Sequence, residues 1–186
     1  MQLRNDLKNY GSITKILHWS TALLILAHIP LGWWMQNLPL GLEKIWYYNL
    51  HKSLGLILLF LIIIRIVWRQ ISPPSPPLPN TMSNREKNIA RAMHISLYTA
   101  VLAQPIIGIF HSWASGYPIV FFNSYTLPSV RMLNKSFADW LSTSHFILGW
   151  GIAALIVVHI SAALKHHYLN KDLVLIRMLP FCRTRN

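Results

Sequence analysis

Four apolar stretches dominate the chain: about Ile16 to Met35, Leu50 to Trp68, Ala92 to Phe110 and Phe146 to Leu164. Each approaches the roughly 20 residues that carry a helix across a bilayer. Hydrocarbon offers no water to open backbone groups, so runs of this length and composition are confined to helices. The chain has 186 residues, 53% of them hydrophobic and only 12% charged, with a mean hydropathy of +0.37. The expectation is a single membrane domain over residues 1–186, an all-α integral four-helix bundle. Basic residues precede the first span, as in a signal peptide. Its apolar run is longer than a signal core, however, and no small-x-small site follows "LGWWMQNLPL", so it is read as a retained helix. The stretch "PPSPPLP" (73–79) cannot be helical, because proline lacks the amide donor and restricts its predecessor; it is a stiff linker between two helical hairpins.

Four spans bring both termini to one side. That side carries Arg4, Lys8, Lys15, Arg65, Arg69, Arg85, Lys87, Arg91, Lys165, Lys171, Arg177, Arg183 and Arg185; the other has Lys44, Lys52, Arg131 and Lys135. Thirteen basic residues against four place both termini in the cytoplasm by the positive-inside rule. The net charge of +12 does not indicate nucleic acid, since the charge flanks spans and no nucleic-acid motif accompanies it. Trp19, Trp33, Trp34, Trp46, Trp68, Trp113, Trp140 and Trp150 lie mostly near span ends, as an interfacial belt does. The one cysteine, Cys182, excludes an internal disulfide, an iron–sulfur cluster and haem attached through C-x-x-C-H.

Nine histidines stand against five acids. An imidazole at membrane depth needs a partner, ordinarily a carbonyl or hydroxyl of a neighbouring helix. The fourth span suggests another role. His145 and His159 are 14 residues apart, which in a bundle with a 3.5-residue repeat puts both on one seam, roughly 21 Å apart along the axis. His51 opens the second span level with His145, and His18 enters the first span near the depth of His159. The pairs His51 with His145 and His18 with His159 each offer two imidazoles from different helices, as bis-histidine haem ligation requires. Ala22, Gly55, Gly149 and Ala163 follow these four histidines by one turn, leaving space for a flat macrocycle, although small residues also suit membrane helix packing. His94 competes with His18 for the inner site but is followed after one turn by Tyr98 and lies close to the interface. His28, His111 and His167 are expected at the interface or hydrogen-bonded inside the bundle. Zinc is disfavoured because no H-E-x-x-H and no carboxylate lies among the apolar histidines.

The segments "YGSITKILHW" (10–19), "LHKSLGLILL" (50–59), "IRIVWRQISPPSPPLP" (64–79), "SHFILGW" (144–150) and "ALKHHYLNKDLVLIRML" (163–179) together resemble the prokaryotic cytochrome b561 family over nearly the whole chain. The resemblance implies a bacterial inner-membrane cytochrome with two non-covalent b-type haems, whose ligands match His18, His51, His145 and His159. It also implies single-electron transfer between membrane quinone, ubiquinone by expectation, and a donor or acceptor at the periplasmic face. One branch oxidises superoxide; there the double histidine after the last ligand, here His166 and His167, belongs to the quinone and proton side, with His166 the expected catalytic group. A lysine-flanked double histidine at a helix end is otherwise an interfacial anchor. Lys52, Arg65, Arg69 and Arg91 are candidate partners for haem propionates, and Lys52, Arg131 and Lys135 would draw an anion to the outer haem. The alternative expectation is a non-enzymatic electron carrier or anchor for a periplasmic redox, lipid-binding or quinone-binding protein, docked on the long outer segment 115–140. Haem or metal transport is a more distant third.

Overall fold

A computed structural model describes residues 2–79, 81–128 and 133–182. Four long helices account for most of it: α1 (Ser12–Gln36), α2 (Leu42–Ile71), α3 (Asn84–Ala114) and α4 (Lys135–Tyr168). All four are long and apolar enough to cross a membrane. Each expected span falls within one helix, but the helices run further, α2 by eight residues at its start and α4 by eleven. Backbone hydrogen bonds continue a helix into water, whereas hydropathy reports only the part in hydrocarbon. Large apolar side chains face outward, with Leu23, Phe60 and Val157 61%, 65% and 64% exposed. In water such a surface is unfavourable; against lipid it is the expected exterior.

The helix ends are locally encoded. Ser83 and Glu86 form a capping box at the start of α3, Ser83 Oγ accepting from the Glu86 amide (3.2 Å) and the Glu86 carboxylate accepting from the Ser83 amide (3.0 Å). Asn134 Oδ1 accepts from the Phe137 amide at the start of α4 (3.0 Å). Pro73 follows the end of α2. Pro30 and Pro105 sit inside α1 and α3 without ending them.

The chain forms two compact units, each built from a portion of every long helix. The termini-bearing unit comprises 1–21, 61–99 and 154–186. In it Asn5 bridges Ser72 Oγ and the Pro73 carbonyl (both 3.0 Å) and accepts from the Gly11 amide (2.9 Å), tying the N-terminal segment to the proline linker. Lys15 and Trp19 donate to the Leu179 and Met178 carbonyls at the end of a short helix α5 (Val174–Met178) (2.9 and 2.8 Å). Arg183 and Arg185, counted for orientation, lie outside the described residues.

The hairpin unit comprises 22–60 and 100–153. Its segment between α3 and α4 contains an antiparallel pair, β1 (Val120–Phe121) and β2 (Tyr125–Thr126), in register Val120 with Thr126. The turn has positive φ at Phe122 (44°) and Asn123 (57°), the backbone of a tight hairpin; asparagine adopts it readily, phenylalanine does not. Ser53, fully buried in α2, holds it: its Oγ accepts from the Phe122 amide (2.8 Å) and donates to the Asn49 carbonyl (2.6 Å). Asn49 also donates to Asn123 Oδ1 (2.7 Å), and the Lys52 ammonium to the Pro118 carbonyl (3.0 Å). This anchoring is not visible in the sequence, because three residues of one helix make it with a segment about 70 positions away. Arg131 lies outside the described residues.

Candidate functional site

In the hairpin unit, α2 and α4 bring His51 and His145 together with ring centres 6.2 Å apart and planes at 72°. A metal–imidazole bond is about 2.0 Å and the nitrogen lies about 1.1 Å from the ring centre, so imidazoles on opposite sides of one metal have centres about 6 Å apart. His28 of α1 is too close to His51 for that, at 4.1 Å and 42°, and contacts its ring directly. The Nδ1 atoms of His28, His51 and His145 are buried without a hydrogen-bond partner. Buried polar atoms are seldom left so, and the three orphaned nitrogens mark this part of the bundle as a place for a partner from outside the protein.

Glycines on other helices make this possible. A Cβ at Gly32 would lie 3.3 Å from His51 Cε1, and one at Gly108 would lie 3.2 Å from His145 Cε1. The glycines one turn after the two histidines serve other neighbours: Gly55 faces His28 (3.8 Å) and Gly149 faces Gln104 (3.3 Å). Gln104 in turn donates to the His145 carbonyl (2.9 Å). A one-turn rule within a helix does not find Gly32 and Gly108, whose role depends on which helices are neighbours.

In the termini-bearing unit His18 of α1 and His159 of α4 have ring centres 6.4 Å apart, planes at 56°. His94 of α3 is also beside His159, at 5.7 Å. Spacing admits either partner; His94 differs in being exposed, whereas His18 and His159 are half-buried. Arg65 Nη2 lies 2.7 Å from His18 Nδ1. A guanidinium only donates, so Nδ1 accepts and the ring proton sits on Nε2. For His18 to bind a metal through Nε2, the proton must move to Nδ1 and Arg65 must find another acceptor, for which a carboxylate is the natural choice. Arg65 and Arg69 both lie over the Tyr98 ring, at 5.1 and 5.2 Å, which holds the two cations together. Arg91 is exposed.

At the end of α4, His166 Nδ1 lies 2.6 Å from Asp172 Oδ2, while the adjacent His167 packs against Tyr168. Asp172 was missed in the sequence, though it is the only acid after Asp139. His111 is half-buried at the end of α3, and Lys135 is exposed at the start of α4. Both pairs fit a haem with two imidazole ligands, the second once Arg65 has turned to a carboxylate.

Four apolar helices presenting facing imidazoles to one another define a membrane haem cytochrome. The chain belongs to the prokaryotic cytochrome b561 family, whose model matches residues 9–181. It is 38% identical to "Cytochrome b561 homolog 2" of Escherichia coli K12, over 96% of this chain and 95% of that one. It is 30% identical to "Probable superoxide oxidase CybB" of Yersinia pestis (93% and 97%) and 31% identical to "Cytochrome b561 homolog 1" of E. coli K12 (92% and 98%). It is therefore an electron-transfer cytochrome with haem b, multi-pass in the bacterial inner membrane.

Proposed function

We propose that the chain holds two haems b, one on His51 and His145 and one on His18 and His159, and transfers single electrons between a periplasmic donor and membrane quinone. The observation that carries this reading is the repetition: α4 faces a second helix's imidazole twice, at 6.2 and 6.4 Å. Haem b, when bound, supplies one-electron chemistry. His51 and His145 orient through Gly32 and Gly108; Arg65 and Arg69 receive propionate carboxylates; His166 handles a proton at the quinone. Both termini are cytoplasmic in this reading, from the basic-residue bias, so the hairpin unit is the periplasmic one and the whole chain a single membrane domain.

Superoxide is the first donor to test, because a relative is named for that activity and Lys52, Arg131 and Lys135 are among the four basic residues that the sequence gives to that side. Purified protein carrying ubiquinone is mixed with superoxide in a stopped-flow spectrometer. Haem reduction faster than superoxide dismutation is expected; no reduction would remove superoxide as donor.

One observation favours a second donor class. Lys52 is already bonded to the Pro118 carbonyl and lies 5.8 Å from the Tyr117 ring, so its charge is partly engaged in fixing the outer segment. A redox protein docking there would take superoxide's place with the same cofactors. Co-purification of a periplasmic protein that reduces the haem would favour it.

A further inference from the structure

We propose that Asp172 is the positioning residue that sets the tautomer of His166 and so makes Nε2 the proton-exchanging atom at the quinone site. This rests on the quinone reading above.

The two side chains are held by the chain that joins them. The Asp172 amide donates to the His166 carbonyl (3.1 Å), and Lys171 between them takes a left-handed φ of 52°. Asp172 Oδ1 accepts from the Val174 amide (3.0 Å) while Oδ2 faces His166 Nδ1 at 2.6 Å. Both side chains are 11% exposed. Asn170 Nδ2 also approaches Nδ1, at 3.2 Å, but one nitrogen cannot donate to the carboxylate and accept from the amide together. The shorter contact, to an acceptor-only carboxylate, decides: Nδ1 carries the proton and gives it to Asp172. In the neutral ring Nε2 is then the basic nitrogen.

Reduction of a quinone to its quinol takes two electrons and two protons, the electrons coming singly from reduced haem b. In the proposed step a proton on His166 Nε2 passes to a quinone oxygen, forming the O–H bond and leaving Nε2 with its lone pair. A proton from the aqueous phase then restores Nε2–H, with Nδ1–H held by Asp172 throughout, while the second quinone oxygen, on the far side of the ring, takes its own proton from the aqueous phase.

Asp172→Asn separates this role from a structural one. The Val174 amide holds whatever oxygen position 172 offers, so the substituted amide turns its NH2 toward His166 Nδ1. The ring must then accept at Nδ1 and carry its proton on Nε2, without a basic lone pair there. In a buried catalytic histidine the same substitution of its carboxylate partner leaves the geometry intact and strands the ring in the wrong tautomer.

The experiment uses the haem-loaded full chain in nanodiscs, with haem content as the check of folding. The protein is pre-reduced with a stoichiometric one-electron donor, mixed with a short-chain ubiquinone, and haem reoxidation is followed. Wild type should reoxidise, Asp172→Asn should be slowed at least tenfold, toward the ~10²-fold or more that acid–base groups contribute, and His166→Gln should match it. Nitrogen NMR of 15N-histidine protein in the diamagnetic reduced state should show His166 protonated at Nδ1 in wild type and at Nε2 in Asp172→Asn. Wild-type protein that quinone does not reoxidise would overturn the quinone reading and the inference with it. If wild type reoxidises and Asp172→Asn keeps its rate, or keeps the Nδ1 proton, only the Asp172 inference falls. A normal rate in His166→Gln would likewise overturn the inference and leave the quinone reading standing.

Discussion

The two units hold similar imidazole pairs by different means. In the hairpin unit the rings are positioned by absent side chains: Gly32 and Gly108 let His51 and His145 lean on neighbouring helices, and buried Nδ1 atoms have no partner. In the termini-bearing unit a charge does the positioning, with Arg65 on His18 and a second guanidinium beside it over Tyr98. Shape governs one site and electrostatics the other. Overpacking should therefore disturb only the first, and removing a cation only the second.

The largest effect tests whether there are two sites at all. His51→Ala or His145→Ala should halve the haem per chain, and His159→Ala or His18→Ala should remove the other half, as read by haem extraction and the reduced-minus-oxidised spectrum. If His94→Ala removes the inner haem and His18→Ala does not, the pairing is wrong. Next is shape: Gly108→Leu places a bulky chain where even a Cβ sits 3.2 Å from His145. Overpacking of this kind is destabilising by about 1–3 kcal/mol, and loss of the hairpin-unit haem with retention of the other is expected. Charge is third. Arg65→Gln removes a positive charge beside His18, which favours the oxidised haem, so a redox titration should show the potential of the termini-unit haem falling and the other unmoved. An equal fall of both potentials would erase the contrast. Smallest is Lys165→Gln, which breaks an exposed ion pair with Glu86 (3.2 Å); such pairs are screened by water and salt, so thermal stability should match wild type.

The sequence announced the helices because bilayer thickness imposes a long apolar run whatever the tertiary partners are. It announced the histidine pairs, still a proposal as ligands, because depth follows from position along a spanning helix. Contacts between helices were harder to see. Gly55 and Gly149 looked like space beside their own histidines but face His28 and Gln104. Arg65 read as a cation near a helix end, yet its bond to His18 depends on which faces of α1 and α2 meet. The hairpin was hidden for the same reason: Phe122 is an unexpected residue for a left-handed turn, and Ser53, which stabilises it, looks in sequence like any small polar residue in a span.

That serine has no exposed surface and lies two residues along α2 from His51. The strand pair beyond the apolar layer is thereby mechanically geared to the helical turn that carries an imidazole. Whatever presses on the tip of the loop, be it lipid headgroup, solute or protein, acts through one buried hydroxyl on the helical turn that carries His51.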